Sequence, residues 1–261
     1  MPYLTIEDFS MYYKDVGQGI PIVFIHPFLL SHHIFAYQQS LQCSYRTIFF
    51  DIRGHGRSSS SHNSLTYDLI AQDLIHLLDH LKLDHVYLCG YSTGASIALQ
   101  ALIQHSDRFK GAILISAMSE IANLTIRVLM YIAKGLANPW TQKLFTGMIA
   151  GGNADSLATF KKLYQHAIHT DPLKVKEYLD CSLTFNCTAQ LHQIKQPILL
   201  IYGSKDRSFC KHAQVLEQQL PHCQKAVIQG ERHQIPTKAH QQLNQNIVRW
   251  LQSQENKIAI E

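Results

Sequence analysis

Charged side chains are scarce in this sequence, and those present are scattered. Lys, Arg, Asp and Glu make up 16% of the 261 residues, with a formal net charge of +4. The densest basic spot, Lys161-Lys162, reads as a solvated helix face. A nucleic-acid surface needs a basic stripe to meet phosphates, and the sequence offers none. No uninterrupted apolar run comes near the ~18 residues that cross a bilayer, so no membrane-spanning helix is expected. The opening stretch MPYLTIEDFSMYYKD has no basic region followed by an apolar core. No secretory signal is therefore expected, and the expected compartment is the cytoplasm.

Paired cysteine motifs are also missing. Cys43, Cys89, Cys181, Cys187, Cys210 and Cys223 are spread along the chain, with no C-x-x-C among them. That argues against a zinc knuckle or a dithiol redox site and fits reduced thiols. Cys89 lies in an apolar run, where a thiol acts as a small buried hydrophobe. Cys181 and Cys187 are near enough in sequence to meet, and the sequence leaves their pairing open. His32 and His33 are adjacent but have no acidic or thiol neighbour in sequence, so no metal site is expected. Internal repeats and low-complexity tracts are absent as well.

What is present is a chain with 46% hydrophobic residues, long enough for one domain with a large core and an insertion. Its most informative stretch is HVYLCGYSTGASIAL, from His85 to Leu99. Val86 to Cys89 form a short apolar run, as in a strand buried on both faces. Gly90-Tyr91-Ser92-Thr93-Gly94 then fits G-x-S-x-G, and a helix apolar on most sides follows. A serine hydroxyl is a weak nucleophile unless it is exposed, fixed and paired with a base. A sharp strand-to-helix turn exposes Ser92, and the two flanking glycines let strand and helix approach closely. The helix start points free N–H groups at the site, and that of Thr93 is placed to meet an oxyanion. The five-residue motif is short, however, and an ordinary strand–loop–helix also fits it.

Around this unit, apolar runs alternate with helical spacing. Residues 3–6 and 9–15 read as an edge hairpin. Strands follow at 20–25, 45–50, 111–116, 196–202 and 224–228. Helices are expected at 34–41, 66–81, 211–220 and 237–251, with Thr66 or Ser64 capping the second. The last residues are polar and are expected to fray. This order predicts a mostly parallel sheet with helices on both faces. Between 117 and 191 the alternation stops. Helices are expected at 124–137, 140–149, 155–168 and 172–183, punctuated by Gly151-Gly152-Asn153 and Asp171-Pro172. The simplest account is a core from 1–117 and 191–261 with a helical cap at 118–190. Most of the apolar cap residues would pack the cap itself, and one face could line an apolar pocket.

Reactive residues gather in loops at the carboxyl ends of these strands: His26-Pro27-Phe28, Ser92, Asp206 and His233. Five segments occur in order: a strand ending in HPF, DIRGHGRS from Asp51, GYSTG, YGSKD ending at Asp206, and GERHQIP holding His233. On these the chain resembles the α/β-hydrolase superfamily over nearly its whole length. The resemblance implies an α/β-hydrolase fold and a Ser92–His233–Asp206 triad. Ser92 would attack a carbonyl, His233 would move the proton, and Asp206 would orient the imidazole. The N–H groups of Phe28 and Thr93 would form the oxyanion hole. It also implies that Asp51, Arg53 and His55 are structural, and it offers Glu120 as an alternative acid. One departure is Pro27, where many relatives have glycine; proline lacks an N–H and stiffens the loop.

The expected activity is cofactor-independent hydrolysis of an ester or lactone of a small to medium apolar substrate. A serine at the elbow disfavours the dehalogenase and epoxide hydrolase branches, which use aspartate. Carbon–carbon bond hydrolases and cofactor-free peroxidases share the same triad, and an acyl transferase or a non-hydrolytic small-ligand binder stays open. The expected partner is a small-molecule substrate rather than nucleic acid or a membrane, and the oligomeric state is open.

Overall fold

The computed structural model describes residues 3–258, so the tail expected to fray lies partly outside the described residues. The strands are β1 (Tyr3–Ile6), β2 (Phe9–Val16), β3 (Pro21–Ile25), β4 (Arg46–Phe50), β5 (Val86–Tyr91), β6 (Phe109–Ile115), β7 (Ile198–Gly203) and β8 (Cys223–Ile228). They form one sheet in the order β1-β2-β4-β3-β5-β6-β7-β8. β1 and β2 pair antiparallel, as do β2 and β4, and every other pair is parallel. The central strands β5 and β7 are buried along their whole length, which explains their unbroken apolar runs.

Helices cover both faces. α1 (Tyr67–His80) starts at Thr66, whose side chain accepts from the Leu69 N–H. α2 (Thr93–Gln104) follows β5 and buries Ala95, Ile97, Ala98, Leu99, Ala101 and Leu102. Between β6 and β7 run α3 (Leu124–Leu136), α4 (Gln142–Asn153), α5 (Leu157–Ala167) and α6 (Pro172–Thr184). α7 (Cys210–Gln219), α8 (Ile235–Lys238) and α9 (His240–Ile258) complete the chain. Two hydrophobic cores result, one on each face of the sheet. This is the α/β-hydrolase fold, with an inserted helical segment.

Three local expectations are corrected. The helix expected at 34–41 is a 3₁₀ run, His32–Cys43, kinked at Phe35. Its buried residues are His32, Ile34, Phe35, Gln38 and Leu41; all but Ile34 recur every three residues, the period of a 3₁₀ turn. Gly151 and Gly152 stay inside α4 instead of ending it. The helix end is held by Asn153, whose Oδ1 accepts from the Tyr91 hydroxyl and whose Nδ2 donates to the Ile149 carbonyl. The closing helix is broken at Ala239 into α8 and α9. All six cysteines are unpaired, and the Cys181 thiol donates to the Leu65 carbonyl instead of meeting Cys187. Among the described residues, no helix is long and apolar enough to cross a membrane.

The turn after β4 is braced by a buried ion pair. Arg53 donates from Nε and Nη2 to the two carboxylate oxygens of Asp73 on α1, both at 2.6 Å. Arg53 also stacks on the Phe9 ring at 4.1 Å. Removing Asp73 leaves the buried guanidinium only the partly exposed Asp8, 3.8 Å from Nη1, as a counter-charge, and breaking a buried pair costs roughly 3–5 kcal/mol. An Asp73→Ala protein should therefore lose that much in urea unfolding. A loss under about 1 kcal/mol, the range of exposed pairs, would show that water reaches the guanidinium.

Candidate active site

β5 delivers Ser92 to the site and leaves it strained. Ser92 has φ +55° and ψ −121°, outside the regions that side-chain-bearing residues prefer. Such a conformation costs on the order of 1–3 kcal/mol and survives only where neighbours fix it. They do: the Ser92 N–H donates to the Ile115 carbonyl of β6 at 2.8 Å, and the Ser92 carbonyl accepts from Ala95 N–H at 2.9 Å. The flanking glycines are steric necessities. A Cβ on Gly90 would lie 2.6 Å from the Ala95 Cα, and one on Gly94 would lie 2.2 Å from the Ile25 carbonyl oxygen. The start of α2 is thus pressed onto the end of β3, which brings Thr93 beside Phe28.

Asp206 sits in the turn after β7 and His233 in the loop after β8. His233 Nε2 lies 3.0 Å from Ser92 Oγ, and its Nδ1 lies 2.9 Å from Asp206 Oδ2. A carboxylate only accepts, so Nδ1 carries the proton and Nε2 is free to accept from the serine hydroxyl. Asp206 is buried, and the imidazole is partly exposed between Phe209 and Tyr91, with ring centroids 4.3 and 5.4 Å away. Gly203 makes this approach possible: a Cβ there would lie 2.4 Å from the carbonyl oxygens of both Glu231 and Arg232. Glu120 is elsewhere, its carboxylate accepting from Asn186 and Thr188.

The Phe28 N–H donates to Thr93 Oγ1 at 3.3 Å, so the two expected oxyanion residues are in direct contact. Thr93 opens α2, where the first N–H groups have no intrahelical acceptor. The loop holding Phe28 is gripped from the inserted segment, by α6 and by the bend before it. The Tyr178 hydroxyl of α6 donates to the His26 carbonyl, and the Thr170 hydroxyl donates to the Leu29 carbonyl, each at 3.1 Å. Sequence reasoning missed Tyr178, Thr170 and Gly203. Gly203 alone carried a signal, as the glycine that ends an apolar strand before the acid.

The residues set aside as structural lie outside the cavity. Asp51 is fully buried and accepts from the backbone and Nδ1 of His32 and from the Arg57 N–H. Burial would raise its pKa, but the His32 hydrogen bonds and charge override this and hold it at about 2. His32 thus has an acidic partner that its own stretch of sequence does not show. His33 stacks on His166 of α5 at 3.6 Å. Cys89 is buried, which pushes its thiol well above the ordinary range.

A cavity of about 340 Å³ opens over Ser92. Its walls come from Pro27 and Phe28, from Met130 and Leu136 of α3, and from Phe145 of α4. The reactive polar groups at its floor are Ser92 and His233. Such a cavity takes an apolar ligand with a polar reacting centre.

Residues 32–240 match the family model described as serine aminopeptidase, S33. By sequence the chain is similar to 3-oxoadipate enol-lactonase 2 of Acinetobacter baylyi, 26% identical over 78% of each chain. It is also similar to a non-heme chloroperoxidase of Burkholderia pyrrocinia, 28% identical over 79% of this chain and 83% of that one. In fold it resembles an esterase from Exiguobacterium antarcticum, with a TM-score of 0.85, 19% identity, and 94% and 96% of the two chains covered. The chain belongs to the serine aminopeptidase S33 family of the α/β-hydrolase superfamily.

Proposed function

We propose that this protein is a serine hydrolase acting on carboxylic esters or lactones of small to medium apolar compounds, through an acyl-enzyme on Ser92. The observation that carries this reading is the unbroken chain Ser92 Oγ–His233 Nε2 and His233 Nδ1–Asp206 Oδ2, at 3.0 and 2.9 Å, on the floor of an apolar cavity. His233 takes the serine proton as Ser92 Oγ attacks the carbonyl carbon. The oxyanion that forms is met by the N–H groups of Phe28 and Thr93, each worth roughly 3–4 kcal/mol in comparable sites. His233 then gives its proton to the leaving alkoxide, and water repeats the sequence in reverse to free the acid. Asp206 holds the imidazole tautomer throughout. The enol-lactonase and esterase relatives support an ester-type bond. The chloroperoxidase relative favours a second use of the same acyl-enzyme, in which hydrogen peroxide replaces water and a peracid leaves.

Intact-mass labelling with a fluorophosphonate tests the reading. The wild type should gain one label, Ser92→Ala none, and His233→Ala should label far more slowly. A folded wild type that takes no label would sink the proposal. Adding peroxide to ester turnover, with halide oxidation as the readout, separates the second use from the first.

A further inference from the structure

The helix α3 is apolar on the wrong side. Its buried stripe is Ile126, Met130 and Ala133, continued by Ala137. The opposite side of a surface helix should be polar. Here it carries Leu124, Val128 and Tyr131, spaced i, i+4 and i+7, all exposed. Leu144 and Met148 of α4 repeat the pattern at i and i+4. Between the two helices Trp140 is 94% exposed. Nothing in the described chain covers this face.

Its charge is one-sided. Residues 121–154 contain Arg127, Lys134 and Lys143 and no Asp or Glu. Lys134 pairs with Asp180 of α6; Arg127 and Lys143 are exposed, Arg127 also donating from Nη2 to the Ile121 carbonyl at 2.7 Å. A second copy seated here through a two-fold axis would set this cationic segment against itself, with no acid of its own to answer it. An anionic lipid surface answers both features. Apolar side chains enter the headgroup–acyl boundary, basic ones meet lipid phosphates, and tryptophan favours that depth.

We propose that the α3–α4 face is a docking surface for an anionic lipid bilayer. This departs from the expectation of no membrane partner, which rested on the lack of a spanning helix; a surface-lying helix pair needs none. Leu129, Ile132 and Met148 are exposed on this side and also line the cavity over Ser92. A docked molecule therefore presents its cavity mouth to the bilayer. If the ester-hydrolase reading holds, and this consequence rests on it, the substrates are esters dissolved in the membrane.

The test uses full-length Ser92→Ala protein, so docking is read without hydrolysis. Flotation is measured with phosphatidylcholine vesicles with and without phosphatidylglycerol. Tryptophan emission is a second readout, because Trp250 is buried and Trp140 is not. The protein should float with phosphatidylglycerol vesicles, and its emission should shift to the blue. High salt should weaken this, as should an Arg127→Gln/Lys143→Gln variant, by about tenfold or more. A Leu124→Ser/Val128→Ser/Leu144→Ser variant should lose about a hundredfold in partition. Three outcomes would overturn the proposal. The first is no flotation with either vesicle. The second is equal flotation with and without phosphatidylglycerol. The third is a dimer in sedimentation that the triple Ser variant abolishes, which would make the occupant a second copy. Because docking is read without the Ser92 hydroxyl, failure here leaves the labelling result standing, and the reverse holds too.

Discussion

An Asp206→Asn protein should hydrolyse esters about 10⁴-fold more slowly than the wild type, without unfolding, by analogy with the same change in other serine triads. The reason is the tautomer. In the wild type the carboxylate oxygen 2.9 Å from His233 Nδ1 can only accept, so the ring proton is fixed there and Nε2 faces Ser92 Oγ with a lone pair. An asparagine of the same shape can present its NH₂ group instead. The ring then carries its proton on Nε2 and has nothing with which to take one from the serine. Glu120 offers no rescue, since its carboxylate is engaged by Asn186 and Thr188. The measurement is kcat on a short-chain aryl ester, with near-UV circular dichroism as the check on folding. A loss under about tenfold would mean that Asp206 does not set the tautomer, and the acid would have to be sought elsewhere.

The parts of this protein legible in the sequence are those written in local periodicity. The buried strands β3, β5 and β7 show as unbroken apolar runs, and the glycines at 90 and 94 mark a turn where a side chain has no room. Parallel topology then predicts that loops after successive strands share one edge, and Ser92, Asp206 and His233 all lie there. Contacts made across long sequence gaps were not legible. Tyr178 reaches His26 over 152 residues, and Thr170 reaches Leu29 over 141. Asp51 meets His32 only because the 3₁₀ run folds back over β4. The choice of Asp206 over Glu120 came from the YGSKD resemblance and the chain order Ser, Asp, His, not from local periodicity, because both residues follow apolar strands of the same sheet. In α3 the apolar content was plain, but which side faced the cavity and which faced outward depended on how the helix docks.

Stability should fall steeply as pH drops from about 6.5 to about 4, through histidines the reaction does not use. His26 is fully buried, and that burial lowers its pKa from 6.5 to about 4. Its hydrogen bonds require the neutral form: Nδ1 donates to the Pro27 carbonyl, and Nε2 accepts the Ile52 N–H, both at 2.9 Å. His55, with its ring centroid 5.6 Å away, is likewise held down by burial, to about 3. In the unfolded chain both take up a proton near 6.5; in the folded chain they resist until about 4 and 3. Unfolding therefore binds protons in this window, and stability present at neutral pH is lost as acid is added. Over this window each contributes at most about 3 kcal/mol, against a typical total of 5–15. Urea midpoints between about pH 7 and about pH 4 would measure the slope, and a His26→Gln protein should show a shallower one. A flat wild-type profile would refute the argument. The same imidazole anchors the loop that carries Phe28, alongside the hydroxyls of Tyr178 and Thr170. Protonating Nε2 frees the Ile52 N–H and removes one of the loop's anchors, so the candidate oxyanion site should loosen in the same pH range as the fold.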